Sequence, residues 1–135
     1  MYRNDKLLIV VDDSEQIRFA LSELLASSGY SVMAFPGGLE SIAALTDLAK
    51  RGIAPAAAVI DLVMDDILGY EVIAAAKKLF PACPVIAISG GTPNVDPELP
   101  LDLAGRRGAD VCLRKPFGNA ELMLALGSAI KGHRA

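Results

Sequence analysis

The sequence predicts an α/β fold, a doubly wound five-stranded parallel sheet with helices on both faces. Three observations carry this. Short apolar runs of strand length alternate with amphipathic stretches of helix length along the 135 residues. The runs are apolar throughout instead of alternating with polar residues, as in strands covered on both faces. Acids and one lysine stand where those runs end, and open α/β sheets bind their ligands at the carboxyl ends of the strands.

Lys6 to Val11 (KLLIVV) is the first strand, closed by Asp12-Asp13. Ser14 caps the helix that follows, with Ile17, Leu21, Leu24 and Leu25 as its apolar face. Gly29 takes the left-handed position beyond its end. Tyr30 to Phe35 is the second strand, and Pro36-Gly37-Gly38 turns the chain into a helix from Leu39 to Arg51. There Ile42, Leu45 and Leu48 face inward and Gly52 is the stop. Ala56 to Asp61 is the third strand. Gly69 or Tyr70 opens a helix running to Phe80, where Pro81 halts it.

Pro84 to Ser89 is the fourth strand and Asp110 to Arg114 the fifth; Asn119 caps a last helix to about Lys131. Leu122, Leu126 and Ile130 share one face of that helix, so Met123 and Leu124 cannot both join them. Between Gly90 and Gly108, Pro93, Pro97 and Pro100 leave only Leu101 to Arg107 as a short helical segment. A loop of this length is functional, mobile or a tolerated surface insertion.

Composition bounds the function. With 53% hydrophobic and 21% charged residues, the chain is expected to form a single domain over 1–135, with a well-filled core and no second, output domain. A net charge of −3 without a basic stripe argues against nucleic acid, and Arg106-Arg107 reads as a solvated helix end. Cys83 and Cys112 lack metal-ligand spacing and a partner histidine, and read as buried thiols. His133 reads as a solvated tail residue. No signal peptide opens the chain and no stretch is long enough to span a bilayer, so a soluble cytoplasmic domain is expected.

The strand-end residues make a chemical set. Asp12 and Asp13 are adjacent, so at least one points into the crevice that Asp61 also enters. Clustered carboxylates demand a counter-charge. Mg²⁺ suits them, because it takes oxygen ligands and bridges to phosphate. Lys115 is a compact cation for phosphate oxygens and Ser89 a hydroxyl donor beside it. Such a set can accept a phosphoryl group on a carboxylate.

At these residues the chain resembles the receiver domains of two-component response regulators. The motifs are Asp12-Asp13, Asp61 with Met64 and Gly69 (DLVMDDILG), Ser89, and Lys115-Pro116-Phe117 after Gly108-Ala109-Asp110. The resemblance implies a flavodoxin-like sheet of strand order 2-1-3-4-5. It implies that Asp61 is the phosphoacceptor for a histidine kinase or phosphotransfer protein. Asp12, Asp13 (most directly), Asp61 and the Val63 backbone carbonyl would hold Mg²⁺. Ser89 and Lys115 would bind the phosphoryl group, and the Lys115-Pro116 peptide would be cis. Val63 and Gly91, at the positions that tune hydrolysis, cannot orient water by hydrogen bonding, which implies slow self-dephosphorylation.

Three departures stand out. Asp65, followed by Asp66, replaces the usual proline; the pair reads as two solvated acids or as charge that alters metal affinity or kinase choice. Cys112 replaces the aromatic ring of the family's switch. The 90–108 stretch is longer than usual and rich in proline.

The leading reading is a stand-alone receiver, not an enzyme acting on a separate substrate, signalling to an unnamed protein partner as a monomer or weak dimer. The face formed by the last strand and its flanking helices is the candidate contact. A degenerate receiver working as a phosphorylation-independent interaction module is the alternative. An aspartyl phosphatase of the haloacid-dehalogenase type would need an acid at Val63 or Ser14, and a flavin binder would not carry Asp12-Asp13 where a phosphate must sit. Gly90-Gly91-Thr92 matches neither phosphate-loop pattern.

Overall fold

Successive side chains of a strand point to opposite faces, so an unbroken apolar strand supplies two cores at once. In a computed structural model of the chain, which describes residues 2–90 and 108–134, that is how the sheet is built. The segment 101–107, Gly91 and the His133 side chain lie outside the described residues. The elements are β1 (Tyr2–Val11), α1 (Glu15–Ser27), β2 (Ser31–Phe35), α2 (Gly38–Lys50), β3 (Ile53–Asp61), α3 (Gly69–Leu79), β4 (Val85–Ser89), β5 (Val111–Arg114) and α4 (Asn119–Arg134). The five strands are parallel in the order β2-β1-β3-β4-β5. This is the predicted fold.

Leu7, Ile9 and Val11 of β1 pack with Leu45 and Leu48 of α2 and with Val72, Ile73 and Ala76 of α3. Leu8 and Val10 face the other way, onto Leu21 and Leu25 of α1 and Leu122 and Leu126 of α4. On α4, Leu124 is left 75% exposed while Met123 packs against the core.

Several element ends differ from expectation. β1 begins at Tyr2 and β3 at Ile53, because Tyr2–Asn4 pair with Ile53–Pro55 before the register shifts ahead of Leu8↔Ala57. Pro55 has no N–H to give a ladder, and it sits beside that irregularity. Ser14 caps α1 as predicted, its Oγ accepting from the Ile17 N–H at 3.3 Å. Gly29 and Gly52 take positive φ, at 95° and 73°, past the ends of α1 and α2. Asn119 is the first residue of α4 instead of its cap: the Leu122 N–H bonds to the Gly118 carbonyl at 3.1 Å, which makes Gly118 the cap.

The amino ends of β4 and β5 are tied to α3. The Lys77 ammonium donates to the Cys83 carbonyl at 2.7 Å and to Asp110 Oδ2 at 3.0 Å, and the same Oδ2 accepts from the Val85 N–H at 2.8 Å. Burial pushes the nearby Cys83 thiol up to about 11 against the pull of Lys77, so it stays protonated. Cys112 is half-buried instead of buried, because β5 is an edge strand. Among the described residues no helix is long and apolar enough to cross a membrane.

Candidate functional site

β1 and β3 are neighbours in register, Val11 opposite Ile60, so the residues that follow, Asp12 and Asp61, reach the sheet edge side by side. One carboxylate oxygen from each of Asp12, Asp13 and Asp61 lies within 4.8 Å of the others. Asp12 and Asp61 are 1% and 2% exposed, whereas Asp13 faces solvent. Lys115, one residue beyond β5, reaches back over the edge. Its Nζ lies 3.0 Å from Asp12 Oδ2 and 3.4 Å from Asp61 Oδ2.

The backbone aims each of these groups. Asp12 Oδ1 accepts from the Ser14 N–H at 2.9 Å, and the Arg18 guanidinium donates to the Asp12 carbonyl at 2.8 Å. Asp61 Oδ1 accepts from the Val63 N–H at 3.3 Å. The Lys115 N–H donates to the Ser89 carbonyl at 2.8 Å, and the Lys115-Pro116 peptide is cis. Ser89 is buried at the end of β4, and the Val63 side chain is 43% exposed. The structure therefore brings the side chains of Asp12, Asp13, Asp61 and Lys115 together, with Val63 beside Asp61 and Ser89 at a neighbouring strand end, joined to Lys115 through its backbone. Cys112 lies apart, opposite Ala87 in the sheet and packed on the α2–α3 side of the core.

Burial, then the Asp12 charge, raise the Asp61 carboxyl to about 6, against Lys115 and the Val63 N–H; Asp13 adds to the rise. Burial pulls the Lys115 ammonium down, but its bond to Asp12 and the charges of Asp61 and Asp12 outweigh that and leave it raised. Two buried carboxylates, Asp12 and Asp61, thus share one ammonium, with Asp13 beside them. Their oxygens are hard donors, and the solvent-facing Asp13 leaves the cluster open on one side. This donor set fits a divalent cation of the Mg²⁺ kind.

Two residues named in the sequence, Gly69 and Asp66, position the site in ways the sequence reading did not give. A Cβ on Gly69 would strike the Asp61 carbonyl oxygen and come 2.7 Å from Leu62 Cα, and the Gly69 N–H bonds to the Leu62 carbonyl at 2.9 Å. We expect Gly69→Ala to cost about 2–3 kcal/mol, since backbone atoms cannot yield as a side chain does; a denaturant midpoint equal to that of the wild type would refute it.

The second is Asp66. Its Oδ1 and Oδ2 accept from the Gly38 and Leu39 N–H groups of α2 at 3.1 and 2.9 Å, and Oδ1 also accepts from the Ile67 N–H at 2.8 Å. The bonds from Leu39, Gly38 and Ile67 hold its carboxyl below the usual range. Asp66 is therefore not simply a solvated acid, as one sequence reading had it. It caps a helix whose own N-cap, Gly37, has no side chain. That bare glycine was the available signal.

The family model for the response regulator receiver domain matches residues 8–127. The transcriptional regulatory protein KdpE of Mycobacterium tuberculosis is 31% identical over 129 residues, which are 96% of this chain and 53% of the relative. The transcriptional regulatory protein CpxR homolog of Haemophilus influenzae is 29% identical over 124 residues, covering 92% of this chain and 50% of the relative. The chain thus spans about half the length of these curated relatives. Among solved structures, the CheY-like receiver domain protein of Methanospirillum hungatei superposes with a TM-score of 0.82 at 22% identity, over 96% of both chains. That likeness is one of fold.

Proposed function

Because this chain belongs to the response regulator receiver domain family, we propose that it accepts a phosphoryl group on Asp61 from the phosphohistidine of a histidine kinase or phosphotransfer protein and signals through the resulting change in shape. The observation that carries the proposal is the shared ammonium: Lys115 rests on Asp12 and on the acceptor itself. An Asp61 oxygen attacks phosphorus, the bond from phosphorus to the donor imidazole breaks, and an acyl phosphate remains on Asp61. At neutral pH Asp61 is ionised, yet more basic than an ordinary aspartate, which suits a nucleophile.

Asp12, Asp13, Asp61 and the Val63 carbonyl would hold Mg²⁺, which when bound neutralises charge on the transferring oxygens. Lys115 exchanges its carboxylate partners for the new phosphoryl oxygens, and the Ser89 hydroxyl donates to them. An apolar groove of about 480 Å³ between Ile17, Ala20, Leu21 and Phe117 opens beside Lys115, where a donor helix would lie.

The activity proposed is that of a receiver alone, acting as a monomer or weak dimer on a protein partner and not on nucleic acid directly. Cys112 in place of an aromatic ring favours a second reading, a module that binds its partner without phosphorylation. Incubation with acetyl phosphate and Mg²⁺, followed by intact mass, separates the two. The first reading expects one base-labile adduct. Absence of an adduct both there and with a phosphohistidine donor leaves the second.

The Val63 side chain presents no polar atom to water at the site mouth, so the adduct should persist for minutes or longer; loss within seconds overturns that expectation. Asp13→Ala should weaken Mg²⁺ binding by about tenfold or more, because it removes the solvent-facing ligand. Unchanged affinity by calorimetry would reassign that ligand.

A further inference from the structure

We propose that Asp66 is a positioning residue for the phosphorylation site, clipping the loop that carries Asp61 and Val63 onto the first turn of α2. The inference rests on the reading of the site given above.

The loop over 62–68 (LVMDDIL) contains neither proline nor glycine, so no residue in it has a fixed φ. Gly69 pins its far end against Asp61 and Leu62. In between, Met64 is buried and Ile67 packs against the core, while Val63 and Leu68 are 43% and 51% exposed. The Asp66 carboxylate adds the polar restraint. It reaches two amides that lie 27 and 28 residues earlier in the chain, at the start of a helix anchored in the core by Leu45 and Leu48.

The receiving surface is shaped for this loop. A Cβ on Gly37 would come 2.8 Å from Asp66 Oδ2, and one on Gly38 would strike the Ile67 side chain. Two consecutive glycines at the helix start thus leave the space that Asp66 and Ile67 fill. The negative charge also sits where the α2 dipole favours it. With Asp65 standing where the family has proline, the clip supplies from outside the loop a rigidity the loop does not have within it. Its effect on the metal runs through the backbone, by keeping the Val63 carbonyl and the Asp61 carboxylate in place as partners behind a ligand set do.

The test is Mg²⁺ titration by calorimetry without any phosphodonor, alongside thermal unfolding. The proteins are the wild type, Asp66→Ala, Asp66→Ala/Gly37→Ser and Leu25→Ala. Asp66→Ala should raise the Mg²⁺ Kd about tenfold and lower Tm. In the double variant the introduced serine side chain enters the vacated space and caps α2 locally, since Gly37 already has the extended φ and ψ of −150° and 163° usual for a cap. Tm should recover and the Kd should stay raised. Leu25→Ala, which weakens the packing of α1 on the opposite face of the sheet, in a cluster that includes neither α2 nor the loop, should lower Tm and leave the Kd near that of the wild type.

Wild-type affinity in Asp66→Ala or in the double variant would overturn the inference, as would a Kd raised equally by Leu25→Ala. The failure of the underlying reading looks different: a wild type that binds no Mg²⁺ at all, or that binds it and takes up no phosphoryl group.

Discussion

Asp61→Asn is expected to abolish phosphoryl uptake and, without Mg²⁺ at neutral pH, to make the domain more stable. The amide offers no nucleophilic oxygen of comparable basicity, so intact mass should show no adduct under conditions that label the wild type. The stability effect follows from the raised carboxyl. In the folded protein Asp61 releases its proton near 6, and in the unfolded chain near 3.8. Between those values the native state keeps a proton the unfolded state has lost, so this group's contribution to stability falls as pH rises through the window. Above the window the ionised carboxylate carries its full penalty of burial beside Asp12.

An uncharged side chain removes that penalty. The shift corresponds to at most roughly 3 kcal/mol, from which the cost of burying the polar amide subtracts, leaving about 1–2 kcal/mol. Urea unfolding at about pH 4.5 and about pH 7.5 should show the variant gaining more on the wild type at the higher pH, and Mg²⁺ should narrow or reverse the gap by stabilising the wild type. A variant less stable than the wild type at about pH 7.5 would mean that the ion pair with Lys115 outweighs burial.

Lys115→Ala is expected to act in the opposite direction. The ammonium is raised, so its contribution is complete throughout the range below the ordinary lysine value and disappears only as pH climbs past the folded one. Removing it leaves two buried carboxylates unopposed. Breaking a buried pair costs about 3–5 kcal/mol, but Lys115 is partly exposed and Asp61 can take up a proton, so about 2 kcal/mol at neutral pH is expected. Lowering the pH towards 5 should recover much of this, as Asp61 becomes neutral. Mg²⁺ should bind the variant at least as well as the wild type, since a competing cation has gone. Acetyl phosphate labelling should slow, and the structural response to the adduct should be lost. Mg²⁺ affinity that falls with the lysine would contradict the assignment of Lys115 to the phosphoryl group.

The parts that were legible in the sequence are those whose cause is local. Lys6 to Val11 reads as a strand because each of its faces meets a helix layer, and Ser14 reads as a cap because the Ile17 amide lies three residues ahead. Parallel strands end at one edge, so Asp12, Asp61, Ser89 and Lys115 could be placed there from the apolar runs before them. What escaped depends on partners distant in sequence. The extension of β1 to Tyr2 rests on pairing with Ile53–Pro55, where polarity and a proline both argue against a strand. Asp66 satisfies amides 27 and 28 residues upstream. The closeness of Gly69 to the Asp61 carbonyl depends on how the intervening loop doubles back, which the residue types of the loop do not specify.

The ion pair at the sheet edge also has a bearing on timing. Lys115 lies 103 residues after Asp12 and 54 after Asp61, one residue beyond β5, the last strand in sequence. Contacts of such wide separation form late, after most of the chain's entropy has been lost. During synthesis, therefore, the nascent chain carries its carboxylates without their cation until the final strand leaves the ribosome. On the function proposed above, competence to accept phosphate would then wait for Lys115, the residue just beyond β5.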